Sequence, residues 1–244
     1  MSAAIARGPG WAILYDPALV SGPGPEWFDP GHWDGRVAGR ADRGRGNLLF
    51  VDAGPRQWAL RHYRRGGMAG RLLVDRFVWC GESRTRSFRE WRMLARLREA
   101  GMPVPRPVAA HWRRRGLAYV ADLATERIPG AVPLSVHIAA GEAVDWGAVG
   151  GVIRAFHDLG AWHADLNAHN ILLDPAGGIW LLDFDRGSFR APGAWQRKSL
   201  DRLNRSLRKI AAEEAGPGFD STGWSGLLQG YEAGGDLRRR ASGP

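Results

Sequence analysis

Cysteine is almost absent from this 244-residue chain: Cys80 stands alone, which excludes any intramolecular disulfide. We read Cys80 as a small apolar residue in a strand rather than a reactive thiol. No run of 18 apolar residues occurs, which excludes a bilayer-spanning helix. Met1 to Trp11 lacks the basic start and apolar block of a secretory signal. These absences fit a cytoplasmic protein. Lysine is nearly missing too: Lys198 and Lys209 are the only two, so 32 of the 34 basic residues are arginine. Abundant Gly, Ala and Pro beside them also fit a genomic base-composition bias, so motifs outweigh charge here. Even so, a net charge of +9 points to an anionic partner: nucleic acid, a phosphorylated substrate or an acidic membrane surface. Zinc-ligand spacings and RNA-binding signatures are missing, so nucleic acid is not expected as a partner.

What is present suffices for a core, since 44% of the residues are hydrophobic. Residues 1 to about 35 are rich in Gly, Pro and Trp and read as irregular chain or a short leading strand, an N-terminal extension over 1–34. A first lobe is expected over 35–124. It holds strands at 48–52 and 57–63 joined by a turn at Ala53-Gly54-Pro55. A helix follows over 84–99, with Phe88, Trp91, Leu94, Ala95 and Leu97 on its apolar stripe and Gly101 at its end. Three prolines keep 102–110 extended, and two strands are expected near 107–113 and 116–122.

A second lobe is expected over 125–244. It begins with a helix over 146–159. A short hairpin follows, from strands near 170–174 and 179–185 across Pro175-Ala176-Gly177-Gly178. A helix over 198–214 carries Leu200, Leu203, Leu207 and Ile210, and a frayed tail starts at Gly234. The class is α+β.

The chemistry-bearing segment is WHADLNAHNILLDPAGGIWLLDFDRG, residues 162–187. Asp165 is followed by Asn170 five residues later and by Asp183 thirteen further on, across the hairpin. Folding the hairpin back brings three oxygen-bearing side chains together. Phosphoryl transfer from ATP needs such a set: a carboxylate to orient and deprotonate the attacking hydroxyl, and a carboxylate plus an amide to hold Mg²⁺. The spacing is similar to the protein-kinase signature H-R-D-x-x-x-x-N followed by D-F-G, here His163 to Asn170 and then Asp183-Phe184-Asp185. A protein-kinase-like two-lobe fold is therefore expected, with a β-rich N-lobe and a mainly helical C-lobe. Asp165 is the candidate catalytic base, and Asn170 and Asp183 the candidate metal ligands. His163 is read as structural. Asp185 is either a second metal ligand or a partner for Arg186.

Upstream, the glycines of 35–46 suit a phosphate-covering loop or simply a flexible one. Trp58-Ala59-Leu60-Arg61 occupies the place of a V-A-I-K strand, so Arg61 is the candidate cation for the nucleotide phosphates, against a solvated strand residue. Arginine is a planar fork, not an equivalent of lysine. Glu90 is its candidate partner. His62, Arg64 and Arg65 either hold an anionic substrate or form a basic turn.

The stretches LRHYRRGG (60–67), DRFVW (75–79), SFREWRML (87–94), MPVPRPVAA (102–110), ADLATERIPGA (121–131) and WHADLNAHNILLD (162–174) with LLDFDRG (181–187) resemble the 3-deoxy-D-manno-octulosonic acid (Kdo) kinase family. The likeness runs from about residue 35 to 235. It implies transfer of the γ-phosphate of ATP to the 4-hydroxyl of a Kdo sugar on a lipid A precursor. It also implies work at the cytoplasmic face of the bacterial inner membrane, with peripheral attachment to that anionic surface. Asp165 would be the family's catalytic aspartate, and Asn170 and Asp183 its metal ligands. Two other readings stand beside it. One is another small-molecule kinase, such as a heptose kinase or an aminoglycoside phosphotransferase-like enzyme. The other is a non-catalytic lipopolysaccharide-binding pseudokinase.

Overall fold

The computed structural model describes residues 2–41, 48–64, 75–213 and 218–241. It divides into two compact units, one of residues 1–100 with 105–127, the other of 101–104 with 128–244. The first is strand-rich and the second mainly helical, the α+β class expected from the sequence.

The first unit is an antiparallel sheet of eight strands. These are β1 (Ala4–Gly8), β2 (Trp11–Tyr15), β3 (Val37–Ala41), β4 (Leu48–Asp52), β5 (Gln57–His62), β6 (Phe77–Val78), β7 (Pro107–Arg115) and β8 (Ala118–Glu126). Their order is β1-β2-β7-β8-β5-β4-β3, with β6 paired to the start of β8. The helix α1 (Arg86–Glu99) buries Phe88, Trp91, Leu94 and Leu97, the stripe that its periodicity marks. Cys80 lies beyond the end of β6 and is exposed, so it is not the strand hydrophobe expected.

Residues 1–34 are not an extension outside this unit. They supply the edge hairpin β1–β2 and a cap of two 3₁₀ turns, Pro25–Phe28 and Pro30–Trp33. The cap lays Trp27 and Trp33 against Trp58, with ring centroids 5.5 and 5.7 Å apart, over Leu49, Val51, Leu60 and Ala124. Tryptophans at irregular spacing carry no strand or helix period, so their apolar surface shows only in three dimensions. The buried Asp16 carboxylate ties the end of β2 to the start of β7 by accepting both Nε (3.2 Å) and Nη2 (2.7 Å) of Arg106.

The second unit contains β9 (Val132–Pro133), α2 (Leu134–Ala139), α3 (Trp146–Asp158), β10 (Ala161–Trp162), β11 (Ile171–Leu173), β12 (Ile179–Leu181), β13 (Ser188–Phe189), α4 (Ala194–Glu213) and α5 (Ser221–Ala241). β11 lies between β12 and β9, and β10 pairs with β13. The tail expected to fray from Gly234 is helical through Ala241. α3 and α5 approach backbone to backbone because glycines face each other: a Cβ on Gly150 would lie 1.9 Å from the Leu227 carbonyl oxygen, and one on Gly230 1.9 Å from that of Gly147. Gly150→Ala therefore forces the helices apart. We expect a loss of about 1–3 kcal/mol, read as a fall in Tm of about 2–4 °C per kcal/mol. An unchanged melting temperature would show that this close approach is not present in solution.

Candidate functional site

The expected site residues fall into two groups, Arg61 with Glu90 in the first unit and Asp165, Asn170 and Asp183 in the second.

In the first unit, alternation along β5 puts Arg61 and Tyr63 on one face and Leu60 and His62 on the other. Glu90, on α1, is 3% exposed and forms an ion pair with Arg61. The Tyr63 hydroxyl donates to the same Glu90 oxygen, and Arg61 Nη2 donates back to that hydroxyl at 3.2 Å. The Arg61 guanidinium also stands over the Tyr63 ring, 4.7 Å from its centroid. Burial, and then the Glu90 charge, push the Tyr63 phenol well above its usual range, so it stays a donor. A single guanidinium nitrogen, Nη2, reaches both the Glu90 carboxylate and the Tyr63 hydroxyl, while the guanidinium carbon stands over the phenol ring. Tyr63 belongs to no kinase motif; its spacing of two from Arg61 is the signal the sequence holds for it.

His62 lies opposite, its Nδ1 2.6 Å from Asp122, which also meets His111 Nδ1 at 3.0 Å. The Asp122 hydrogen bond raises the His62 pKa against the opposing effect of burial. Of the glycine-rich run expected to cover phosphates, 42–47 lie outside the described residues, as does Arg65.

In the second unit, the loop after β10 and the segment after β12 are joined by a closed circuit of hydrogen bonds. His163 Nδ1 accepts the Asp165 backbone N–H at 3.1 Å. His163 Nε2 meets the Leu182 carbonyl oxygen at 2.7 Å, and because a carbonyl only accepts, Nε2 carries the proton. The Leu182 N–H donates to the Asn170 carbonyl at 2.9 Å. The Asn170 Nδ2 donates to the Asp165 carbonyl at 2.9 Å, which closes the ring. Asp165, Asn170 and the residue preceding Asp183 are therefore held by one buried imidazole, the structural role expected of His163. Its environment lowers its pKa, chiefly through burial, which keeps the ring neutral as the circuit requires.

The hairpin β11–β12 sets the spacing. Its turn is tied by the Asp174 carboxylate, which accepts N–H groups from Ala176 (2.9 Å), Gly178 (2.8 Å) and the Trp180 indole (2.7 Å). Phe184 anchors the far side: it is buried, stacks on Phe156 at 5.7 Å and meets the His163 ring edge-on at 4.8 Å. Asp183 itself sits at φ 60°, left-handed backbone that is unusual for a residue with a Cβ. Such strain at about 1–3 kcal/mol persists where surrounding contacts enforce it, commonly at functional sites. The Asp183 Oδ1 accepts the Asp185 N–H at 3.4 Å.

The donor set fits a hard cation. The Asn170 amide nitrogen is spent on the Asp165 carbonyl, which turns its Oδ1 the other way, and Asp183 supplies a carboxylate. No group of three His, Cys, Asp or Glu able to hold a metal occurs among the described residues. Mg²⁺ shared with nucleotide phosphates does not need one.

One cation was not foreseen. The 3.1 Å ion pair on Asp165 Oδ1 comes from Arg202 of α4, 37 residues away in sequence. α4 is seated on the loop by the Ala168 N–H, which donates to Ser206 Oγ at 3.2 Å. Helical spacing of four between Arg202 and Ser206 was visible in the sequence, but nothing there tied that face to Asp165.

Burial also lowers His157, to about 4. Both imidazoles are thus neutral in the folded chain and ordinary in the unfolded one, which titrates near about 6.5. Protons then bind the unfolded chain more readily, so stability is full above about pH 6.5 and falls as the pH drops below it. We expect the urea midpoint to fall between pH 7 and pH 5, and His157→Gln to flatten that slope. His62, whose pKa is raised, acts in the opposite direction, so the variant is the decisive arm: an unchanged slope in His157→Gln would contradict the burial of that ring.

Residues 34–231 match the model of the lipopolysaccharide kinase (Kdo/WaaP) family. A 3-deoxy-D-manno-octulosonic acid kinase of Stenotrophomonas maltophilia (strain K279a) is 44% identical over 206 residues, 84% of this chain and 83% of that protein. One of Xanthomonas axonopodis pv. citri (strain 306) is 43% identical over 223 residues, 91% of this chain and 89% of that protein. Among solved structures, WbdD, described as a bifunctional kinase-methyltransferase, aligns at 16% identity and a TM-score of 0.48 over 82% of this chain and 46% of its own. This chain therefore spans less than half of WbdD. The family model covers most of the chain and the relatives exceed 40% identity over more than four-fifths of it, so this chain belongs to the lipopolysaccharide kinase (Kdo/WaaP) family.

Proposed function

We propose that this chain is a Kdo kinase, which transfers the γ-phosphate of ATP to the 4-hydroxyl of a Kdo sugar on a lipid A precursor. The observation that carries the reading is the hydrogen-bond circuit through His163 that ties Asp165, Asn170 and Leu182 together, in a chain whose relatives bear that enzyme's name.

In this reading the Asp165 carboxylate accepts the proton of the attacking hydroxyl and orients its oxygen toward the γ-phosphorus. Arg61, held by Glu90 and Tyr63, gives its guanidinium to the nucleotide phosphates. Asn170 and Asp183 would hold Mg²⁺. When bound, that ion neutralises charge on the β- and γ-phosphates. Only residues 186–193 separate Asp185 from α4, which leaves little platform for a peptide and favours a small or lipid-linked acceptor. The net charge of +9 would draw the protein to an anionic membrane, and no helix among the described residues is long and apolar enough to cross one. Peripheral attachment at the cytoplasmic face of the inner membrane follows from the acceptor's place of synthesis in this reading.

The test is transfer of radiolabel from γ-labelled ATP to Kdo-bearing lipid A precursor, with and without Mg²⁺. Label on the glycolipid that depends on magnesium supports the proposal. Measurable ATP binding with no label would move the acceptor elsewhere. Asp165→Ala is expected to lower kcat by about 10²–10⁴-fold with ATP affinity retained; wild-type turnover in this variant would remove the mechanism. Arg61→Ala is expected to weaken ATP binding by about tenfold or more and Arg61→Lys by less, since a charge remains without the fork. Tyr63→Phe should fall between wild type and Arg61→Ala. Equal ATP affinity in all three variants would show that the phosphate-binding cation lies elsewhere.

A further inference from the structure

α4 carries a row of positive charge that its own packing does not use. Lys198, Arg202, Arg205 and Lys209 follow at steps of four, three and four residues. At about 100° per residue they fall within an arc of roughly 60° and form a ridge about 16 Å long. All four are exposed, while Leu200, Leu203, Leu207 and Ile210 bury the other side of the helix. Both lysines of the chain lie in this ridge.

The flanking cations of α4 are engaged locally: Arg197 pairs with Asp201 at 3.3 Å, and Arg208 Nε donates to Asn204 at 3.0 Å. The ridge differs. Lys198 and Arg205 have no ion-pair partner among the described residues, and Lys209 has only a 3.7 Å contact with exposed Glu213. Like charges four apart on one helix face repel, so the row runs against the stability of the helix that bears it. The ridge is also attached to the candidate site, because Arg202 meets Asp165 at 3.1 Å. Within the loop itself, the residues between Asp165 and Asn170 are Leu166, Asn167, Ala168 and His169, none of them lysine or arginine.

We propose that this ridge is the docking surface for the polyanionic acceptor, which rests on the kinase reading above. Lys198, Arg205 and Lys209 meet its phosphates, and Arg202 passes from Asp165 to a carboxylate or phosphate of the acceptor sugar. An exposed ion pair is weakly held and exchanges readily, so the transfer of Arg202 leaves the Asp165 carboxylate to receive the hydroxyl proton. A planar guanidinium suits that exchange, since carboxylate and phosphate both accept its fork. The ridge thus links recognition of acceptor charge to the state of the base.

The test compares wild type with Lys198→Gln/Arg205→Gln/Lys209→Gln, whose sites are exposed and whose folding is checked by circular dichroism and Tm. The probe is the deacylated, water-soluble, bisphosphorylated glucosamine disaccharide bearing Kdo, titrated calorimetrically at low and physiological ionic strength. The triple variant is expected to bind at least about tenfold more weakly and with a flatter salt dependence. Its ATP affinity, and its kcat at saturating acceptor, should match wild type. Arg202→Gln should also lower kcat, and Arg202→Lys should recover part of the acceptor affinity. Equal disaccharide affinity in wild type and triple variant overturns the ridge, as does absence of disaccharide binding by wild type. Loss confined to phosphatidylglycerol vesicles overturns it too, and makes the ridge a general membrane contact. Binding by wild type that weakens in the triple variant, without phosphate transfer by either, keeps the ridge and removes the kinase reading.

Discussion

Both nitrogens of one buried imidazole are committed in the second unit, and the geometry of the candidate site depends on that commitment. His163 accepts from the Asp165 backbone and donates to Leu182, whose own N–H returns to Asn170. A charged ring would have no lone pair for the Asp165 N–H, so the circuit requires a neutral histidine. Burial supplies that condition. The stacked pair Phe156–Phe184, with the His163 ring against its edge, excludes water from the same place. The strained Asp183 backbone is then the local consequence of fixing Leu182 on one side and Phe184 on the other.

The first unit solves a different problem, the fixing of a long flexible cation. Arginine loses about 2 kcal/mol of rotamer freedom when held. Here the loss is offset by an ion pair with a buried carboxylate, a hydrogen bond to a phenol and contact with that phenol's ring. The sheet that carries Arg61 has α1 packed on its strands β7 and β8 and the tryptophan cap packed over β4 and β5. The cap therefore belongs to the support of the site residues although it lies far from them in sequence.

Charge is divided between these tasks. Arg106 reaches the buried Asp16 and fixes structure, Arg61 is held by the buried Glu90 with part of its own side chain exposed, and the four ridge cations lie on the exposed face of α4. Composition counts these cations alike. The burial of the partner separates them, since a cation paired with a buried acid is held in one place while an exposed ion pair exchanges readily.

Much of this protein was legible in its sequence. The periods of α1 and α3 and two strands, expected at 48–52 and 57–63 and found at 48–52 and 57–62, follow from local apolar patterning. The short hairpin between Asn170 and Asp183 follows from two apolar runs across a Pro-Gly turn, and the acid–amide–acid spacing from adjacency along the chain. Such features depend on residues within one or two turns of each other, so the sequence by itself determined them. The tertiary structure alone decided the rest. It drew residues 1–34 into the first unit, because scattered tryptophans bury against a sheet and not against their neighbours in sequence. It made a helix of the chain beyond Gly234, within an element whose glycines fit against α3. It brought Tyr63 to Glu90 and Arg202 to Asp165, contacts across 27 and 37 residues whose energy exists only once distant elements are packed.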